Sequence, residues 1–114
     1  MQLTIKGEIK GLQVQGRKFD QLLQGFYIRN STGLTNGMPS WTHENGLGFS
    51  IWFANASKSW MVGKNKRIGS NFGSLTSSTS PDNSLPQEAK NWEYHDFTIG
   101  KWIMSNDISI KRSM

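Results

Sequence analysis

Along most of the chain, apolar and polar positions alternate with a period of two, the pattern of a strand with one side against a core. It is clearest at residues 48–54, where Phe49, Ile51 and Phe53 point one way and Ser50, Trp52 and Ala54 the other. Residues 55–57 make a turn, and 59–62 return as an adjacent strand carrying Trp60. The same alternation predicts short strands around Leu3 and Ile5 and around Leu12 and Val14, punctuated by Gly7, Gly11 and Gly16. At 17–24 the spacing changes: Phe19, Leu22 and Leu23 recur at helical intervals before Gly25, which predicts one short helical turn.

Strand character resumes at 26–30, with Phe26 and Ile28 alternating against Tyr27 and Arg29. Asn36-Gly37 and Pro39 supply the backbone angles of tight turns, and a short strand follows around Trp41. Asn45-Gly46 between two apolar-alternating runs is a hairpin signal. Residues 64–66 make another turn, and 67–75, with Ile68, Phe72 and Leu75 among glycines, predict a curved strand or bulge. Residues 74–88 are mostly Ser, Thr, Asn, Asp and Pro and predict a polar surface loop. Trp92, Tyr94 and Phe97 bring the chain back, and Trp102, Met104, Ile108 and Ile110 predict a closing hairpin through Ser105, Asn106 and Asp107. About eight to ten short strands with regular turn signals predict an all-β fold, a small antiparallel barrel or sandwich with at most one short helical turn.

Composition narrows the picture. With 114 residues the chain makes a single β domain, 1–114, large enough for its own core. Six Phe, five Trp and two Tyr predict a core of few, bulky side chains. The absence of cysteine removes disulfides, thiolate nucleophiles and sulfur-ligated metal sites. The first residues interleave Lys and Gly where a signal peptide needs an apolar run, and no stretch is long and apolar enough for a membrane span, so a soluble, intracellular protein is expected. Sequons at Asn30 and Asn55 would matter only in a secretory compartment.

Candidate chemistry is sparse. His43 and His95 each adjoin a carboxylate, but neighbouring strand positions face opposite ways, so no metal site is expected and both are placed at the surface. Glu88, Glu93 and Asp96 show no spacing that sets two carboxylates across a sugar, and neither a nucleophile elbow nor a phosphate-cradling glycine loop is present. No enzyme and no cofactor are expected. The net charge of +5 favours encounters with acidic partners, and Lys58, Lys64, Lys66 and Arg67 cluster beside the Trp60 strand.

Gly25-Phe26-Tyr27, then 36–41 (NGMPSW), then Ser50-Ile51-Trp52-Phe53, then 59–63 (SWMVG), and after a polar loop Pro86 and Trp92 follow one another in order. This series resembles small tryptophan-rich β modules of multidomain protist and invertebrate proteins. The likeness covers about residues 10–93, with Gln24 in place of a more usual Asn and a polar rather than aromatic loop at 74–86. It implies a β fold and a noncatalytic accessory role, and it carries no ligand residues.

Three roles are compatible with these features. The first is an interaction or assembly module that docks on a protein partner or a second copy of itself. Its face would be aromatic and basic-rimmed, drawn from Trp41, Trp52, Lys58, Lys64, Lys66 and Arg67, with Trp52 left outward by the strand's apolar trio. The second is lectin-like binding of a carbohydrate or other small ligand, with Trp41, Trp52 or Trp60 stacking on a sugar. The third is single-stranded nucleic-acid (RNA) binding through the four basic residues, with Trp60 or Phe72 as the stacking platform.

Overall fold

The computed structural model describes residues 11–16, 21–31, 33–81 and 84–113. The strand expected around Leu3 and Ile5 and the start of the helical turn at 17–20 lie outside the described residues. The chain forms β1 (Gly11–Gln15), β2 (Gly25–Arg29), β3 (Trp41–His43), β4 (Phe49–Ala54), β5 (Ser59–Lys64), β6 (Leu75–Thr76), β7 (Glu93–Asp96), β8 (Lys101–Met104) and β9 (Ser109–Ser113). They pair antiparallel in one nine-stranded sheet of order β8-β7-β6-β5-β4-β3-β2-β1-β9. The all-β antiparallel class read from the periodicity is the one observed, as a single curled half-barrel. Helical structure among the described residues amounts to three lone 3₁₀ turns, Gln21–Leu23, Asn65–Arg67 and Pro86–Glu88, where at most one turn was expected. No helix among them is long and apolar enough to cross a membrane.

The curl follows from connectivity. Laid flat, nine strands would set the edge strands about 38 Å apart at the usual spacing of about 4.8 Å. Among the described residues those edges are β8 and β9, yet only residues 105–108 join them. That link reaches at most about 17 Å, so the sheet must bend until its edges approach at one end. The closing hairpin expected between these strands is thus corrected: β8 pairs with β7, while β9 crosses to β1, joining Val14 to Ile110. Trp102 and Met104 obeyed the alternation, but the turn after them bridges the sheet's two edges.

The inner face of the curl holds the core. Register aligns Trp41 with Ile51, Ile51 with Val62 and Phe53 with Trp60, and Val62 with Leu75, so these side chains share that face. Trp60 meets Phe53 and Trp41 edge-on, with ring centroids 5.3 and 6.0 Å apart. Leu12, Val14, Tyr27 and Ile110 extend the cluster, and Trp92, Leu85 and Ala89 close it. Trp60 and Trp92 are core, as expected. In β2 the alternation turns Tyr27 inward: it is buried and donates to the Leu23 carbonyl at 2.6 Å, while Ile28 is exposed. Pairing Tyr27 with Leu12 and His43 decides it. Burial pushes the Tyr27 phenol above its ordinary range.

Two polar stretches also differ from expectation. Of 67–75, expected as a curved strand or bulge, only Leu75 is in a strand, the start of β6, and Ile68 and Phe72 are exposed. Within 74–88, Ser77, Ser80 and Pro86 are buried. The Ser77 hydroxyl accepts the Trp60 N–H at 3.0 Å, so part of this stretch is tied to β5 rather than lying free on the surface.

Candidate functional site

The residues singled out by sequence do not form one site. Trp52 is on the outer face, as its alternation required, but it is 0% exposed. Residues 65–74 fold back over β4 and β5 and cover it. Its indole N–H donates to the Ser70 carbonyl at 2.8 Å, and it packs with Ala54 and Met61 in a second apolar cluster. Asn36 pins the same cover, its amide donating to the carbonyls of Gly69 (2.9 Å) and Phe53 (2.8 Å). The glycines make the close approach possible: a Cβ on Gly63 would lie 2.9 Å from both the Gly73 Cα and the Trp52 ring. The expectation of an outward Trp52 is corrected, because a long-range loop supplies a second layer that strand periodicity does not encode.

Trp41 and Trp60 are also fully buried, so none of the tryptophans proposed for stacking is available on the surface. The four cations remain exposed but separate. Lys58 sits in the turn before β5, with Nζ 3.0 Å from Asn55 Oδ1, whereas Lys64, Lys66 and Arg67 follow at the other end of the strand, about 20 Å away along its length. Phe72 is exposed, with the Arg67 guanidinium lying 5.2 Å from its ring centroid.

Neither histidine behaves as a free surface group. His43 is buried against Tyr27; its Nδ1 accepts the Asn45 N–H at 3.2 Å, which leaves Nε2 to donate to the Gln24 carbonyl at 2.8 Å. His95 is half-buried between Phe97 and Trp102, at centroid distances of 4.4 and 5.1 Å. Glu88 caps the Leu85 N–H and Asp96 the Thr98 N–H. Among the described residues no three His, Asp or Glu side chains converge as a metal site would need.

The exposed aromatic surface lies instead on the β7–β8 hairpin. Phe97 (75% exposed), Ile99, Trp102 (40%) and Met104 all face solvent there. The pairing of His95 with Trp102 and of Glu93 with Met104 sets Trp102 and Met104 on the outer face of the sheet, with Phe97 and Ile99 in the turn between the strands. Continuing across the sheet, Glu93 aligns with Thr76 and Thr76 with Met61. On this face a groove of about 320 Å³ runs between Trp102 and the 57–59 turn, with Met61, Thr76 and Glu93 in its floor and Asn71 at its rim. Its hydroxyls form a ladder, Ser57 to Ser59 at 2.7 Å and Ser59 to Thr76 at 3.3 Å. A second concavity of about 370 Å³ is lined by Gln13, Gln15, Gln24 and Asp107. Among the described residues lining it there is no aromatic, and Gln24 is committed to the Gly16 N–H.

Sequence reasoning assigned Trp102 and Met104 to a closing hairpin and missed this surface. A signal was present: Trp102, Ile103 and Met104 are three successive apolar residues, so both faces of that strand carry apolar side chains. The chain matches no protein-family model, no curated protein and no solved structure.

Proposed function

We propose that the domain is an interaction module that self-associates through β8, a second copy adding its own β8 to the sheet edge that β8 forms among the described residues. The single observation carrying this is four large apolar side chains exposed on one hairpin at a sheet edge. Soluble chains normally blunt such edges, and a clustered apolar patch marks an interaction surface. The expected aromatic docking face is thereby moved from Trp52 to Trp102.

Backbone geometry supports a second copy as the occupant. Ser105 N–H donates to the Trp92 carbonyl, which makes these residues a hydrogen-bonded pair. Antiparallel pairs alternate, so the N–H and C=O of Trp102 and Met104 point away from β7. A two-fold axis through Ile103 sets Trp102 opposite the second copy's Met104, so every outward group finds a partner and an aromatic meets a thioether. This register also offsets the two Lys101 ammonium groups along the strand. Pairing centred on Trp102 would instead oppose Met104 to Gly100, which has a positive φ of 66° and lies in the turn.

Sedimentation equilibrium tests the proposal. Two chains of charge +5 repel at low salt, so dimerisation should strengthen as salt rises to physiological levels. Met104→Pro deletes an outward N–H at an edge position that tolerates proline, and it should weaken dimerisation at least tenfold with the fold intact by circular dichroism. A chain that stays monomeric at about 100 μM in physiological salt, or a Met104→Pro variant that dimerises as well as the parent, overturns it. An acidic strand-donating partner would show the opposite salt dependence and would equally count against self-association.

A further inference from the structure

We infer that the groove beside Trp102 is a binding site for a neutral saccharide, one or two pyranose residues long. The groove lies over β5, β6 and β7, on the side of β8 away from an added strand, so sugar binding does not depend on self-association.

A pyranose has a C–H face and a rim of hydroxyls, and each finds its counterpart here. Trp102 is the one tryptophan in the chain with a substantially exposed ring, and it forms one wall of the groove. His95 meets it edge-on, with an interplanar angle of 77°, and braces it against rotation. An aromatic surface held in place stacks a sugar's C–H face with little loss of side-chain freedom on binding. Met61 adds an apolar floor.

The opposite wall is polar. Ser57, Ser59 and Thr76 form a chain of hydroxyls, each able to donate and accept, which can re-orient to match a ligand's own hydroxyls. Ser78 and Thr79 continue the wall, and Asn71 brings an amide with both donor and acceptor capacity. Glu93 is half-buried in the floor, and its carboxylate has no hydrogen bond or ion pair to any described residue. Among the described residues it is the one carboxylate lining the groove, and its oxygens can accept from a pair of vicinal hydroxyls. The same charge repels uronic acids and sulfated sugars, which is why the ligand is neutral. A volume of about 320 Å³ sits at the small end of ligand sites, which matches a ligand of one or two rings.

Titration with methyl pyranosides and short neutral oligosaccharides, followed by tryptophan emission and by heteronuclear NMR shifts, tests this. The four other tryptophans are shielded in the fold, so the emission change should come from Trp102 and vanish in Trp102→Phe. A shallow open site predicts dissociation constants on the order of 1 mM. Trp102→Ala and Glu93→Gln should each weaken binding at least tenfold, with unchanged melting. Met104→Pro should bind sugar as the parent does, whatever its association state, which keeps a failure here distinct from a failure of self-association. No shift at Trp102, Thr76 or Glu93 with any neutral saccharide at about 100 mM overturns the inference, as does binding that survives both groove substitutions.

Discussion

Replacing Trp52 with alanine separates the observed structure from the one its sequence neighbourhood suggests. As an outward residue, Trp52 would be dispensable for folding. In the structure its indole is fully enclosed between β4, β5 and the cover formed by 65–74. Truncation of a buried Trp costs about 3–5 kcal/mol, and leaving the Ser70 carbonyl without its donor adds about 1 kcal/mol. Against a total stability of about 5–15 kcal/mol, Trp52→Ala should lower the melting temperature by about 10 °C or more, at a few degrees per kcal/mol for a chain of this size. Trp52→Phe keeps most of the apolar contact and loses the hydrogen bond, so its loss should be clearly smaller. Thermal and urea melts by circular dichroism measure both. Hydrogen exchange should show amides of 65–74 opening before those of β4, since the cover is anchored by Trp52 and Asn36 rather than by strand pairing. A Trp52→Ala chain that melts within about 0.5 kcal/mol of the parent, as exposed sites do, refutes the enclosure.

Two further substitutions probe the packing. Gly63→Ala places a methyl 2.9 Å from the Gly73 Cα and the Trp52 ring, so it should cost about 1–3 kcal/mol in urea melts, and a neutral result would mean that the cover yields. Tyr27→Phe removes the donor to the Leu23 carbonyl and should cost about 1–2 kcal/mol at neutral pH. It should also change the alkaline limb of stability. The buried phenol keeps its proton in the fold but loses it near pH 10 once unfolded, so stability falls as pH rises above about 10. Tyr27→Phe should show a shallower alkaline decline than the parent, and equal slopes would contradict the burial.

What the sequence revealed and what it withheld divide along the range of the interactions. Phe49, Ile51 and Phe53 were legible as one core face because β4 and β5 are joined by a short turn and pair along their whole length. The Asn45-Gly46 turn between β3 and β4 was legible for the same reason. Trp52 was misplaced because its cover is the segment after β5 folding back over the sheet, held by a side-chain bond to a backbone carbonyl that leaves no periodic trace. In β2 the alternation of Phe26 and Ile28 against Tyr27 and Arg29 leaves the inward side open; the register with β1 and β3 turns Tyr27 there, and its phenol is satisfied by a local carbonyl. The groove was invisible for a related reason. Its serines and threonines look like loop composition, and only the pairing of β5, β6 and β7 gathers them beside Trp102.

The order of strands in the sheet bears on how the chain reaches this state during synthesis. From β1 to β8 each strand pairs with the one before it, so those contacts can form in turn as the polypeptide leaves the ribosome. β1 is the exception on its other side: Leu12 and Val14 wait for β9, which follows all the other described strands in the chain. Pairing β1 with β9 first would close a very long loop, at an entropic cost about 2.7 kcal/mol above that of a five-residue hairpin, so β9 is best added after the rest has formed. Until then the nascent sheet has β1 as an unpaired edge beside an unfinished core. Such an intermediate is exposed to mispairing, and a chain stalled shortly before residue 109 is the species a chaperone should recognise.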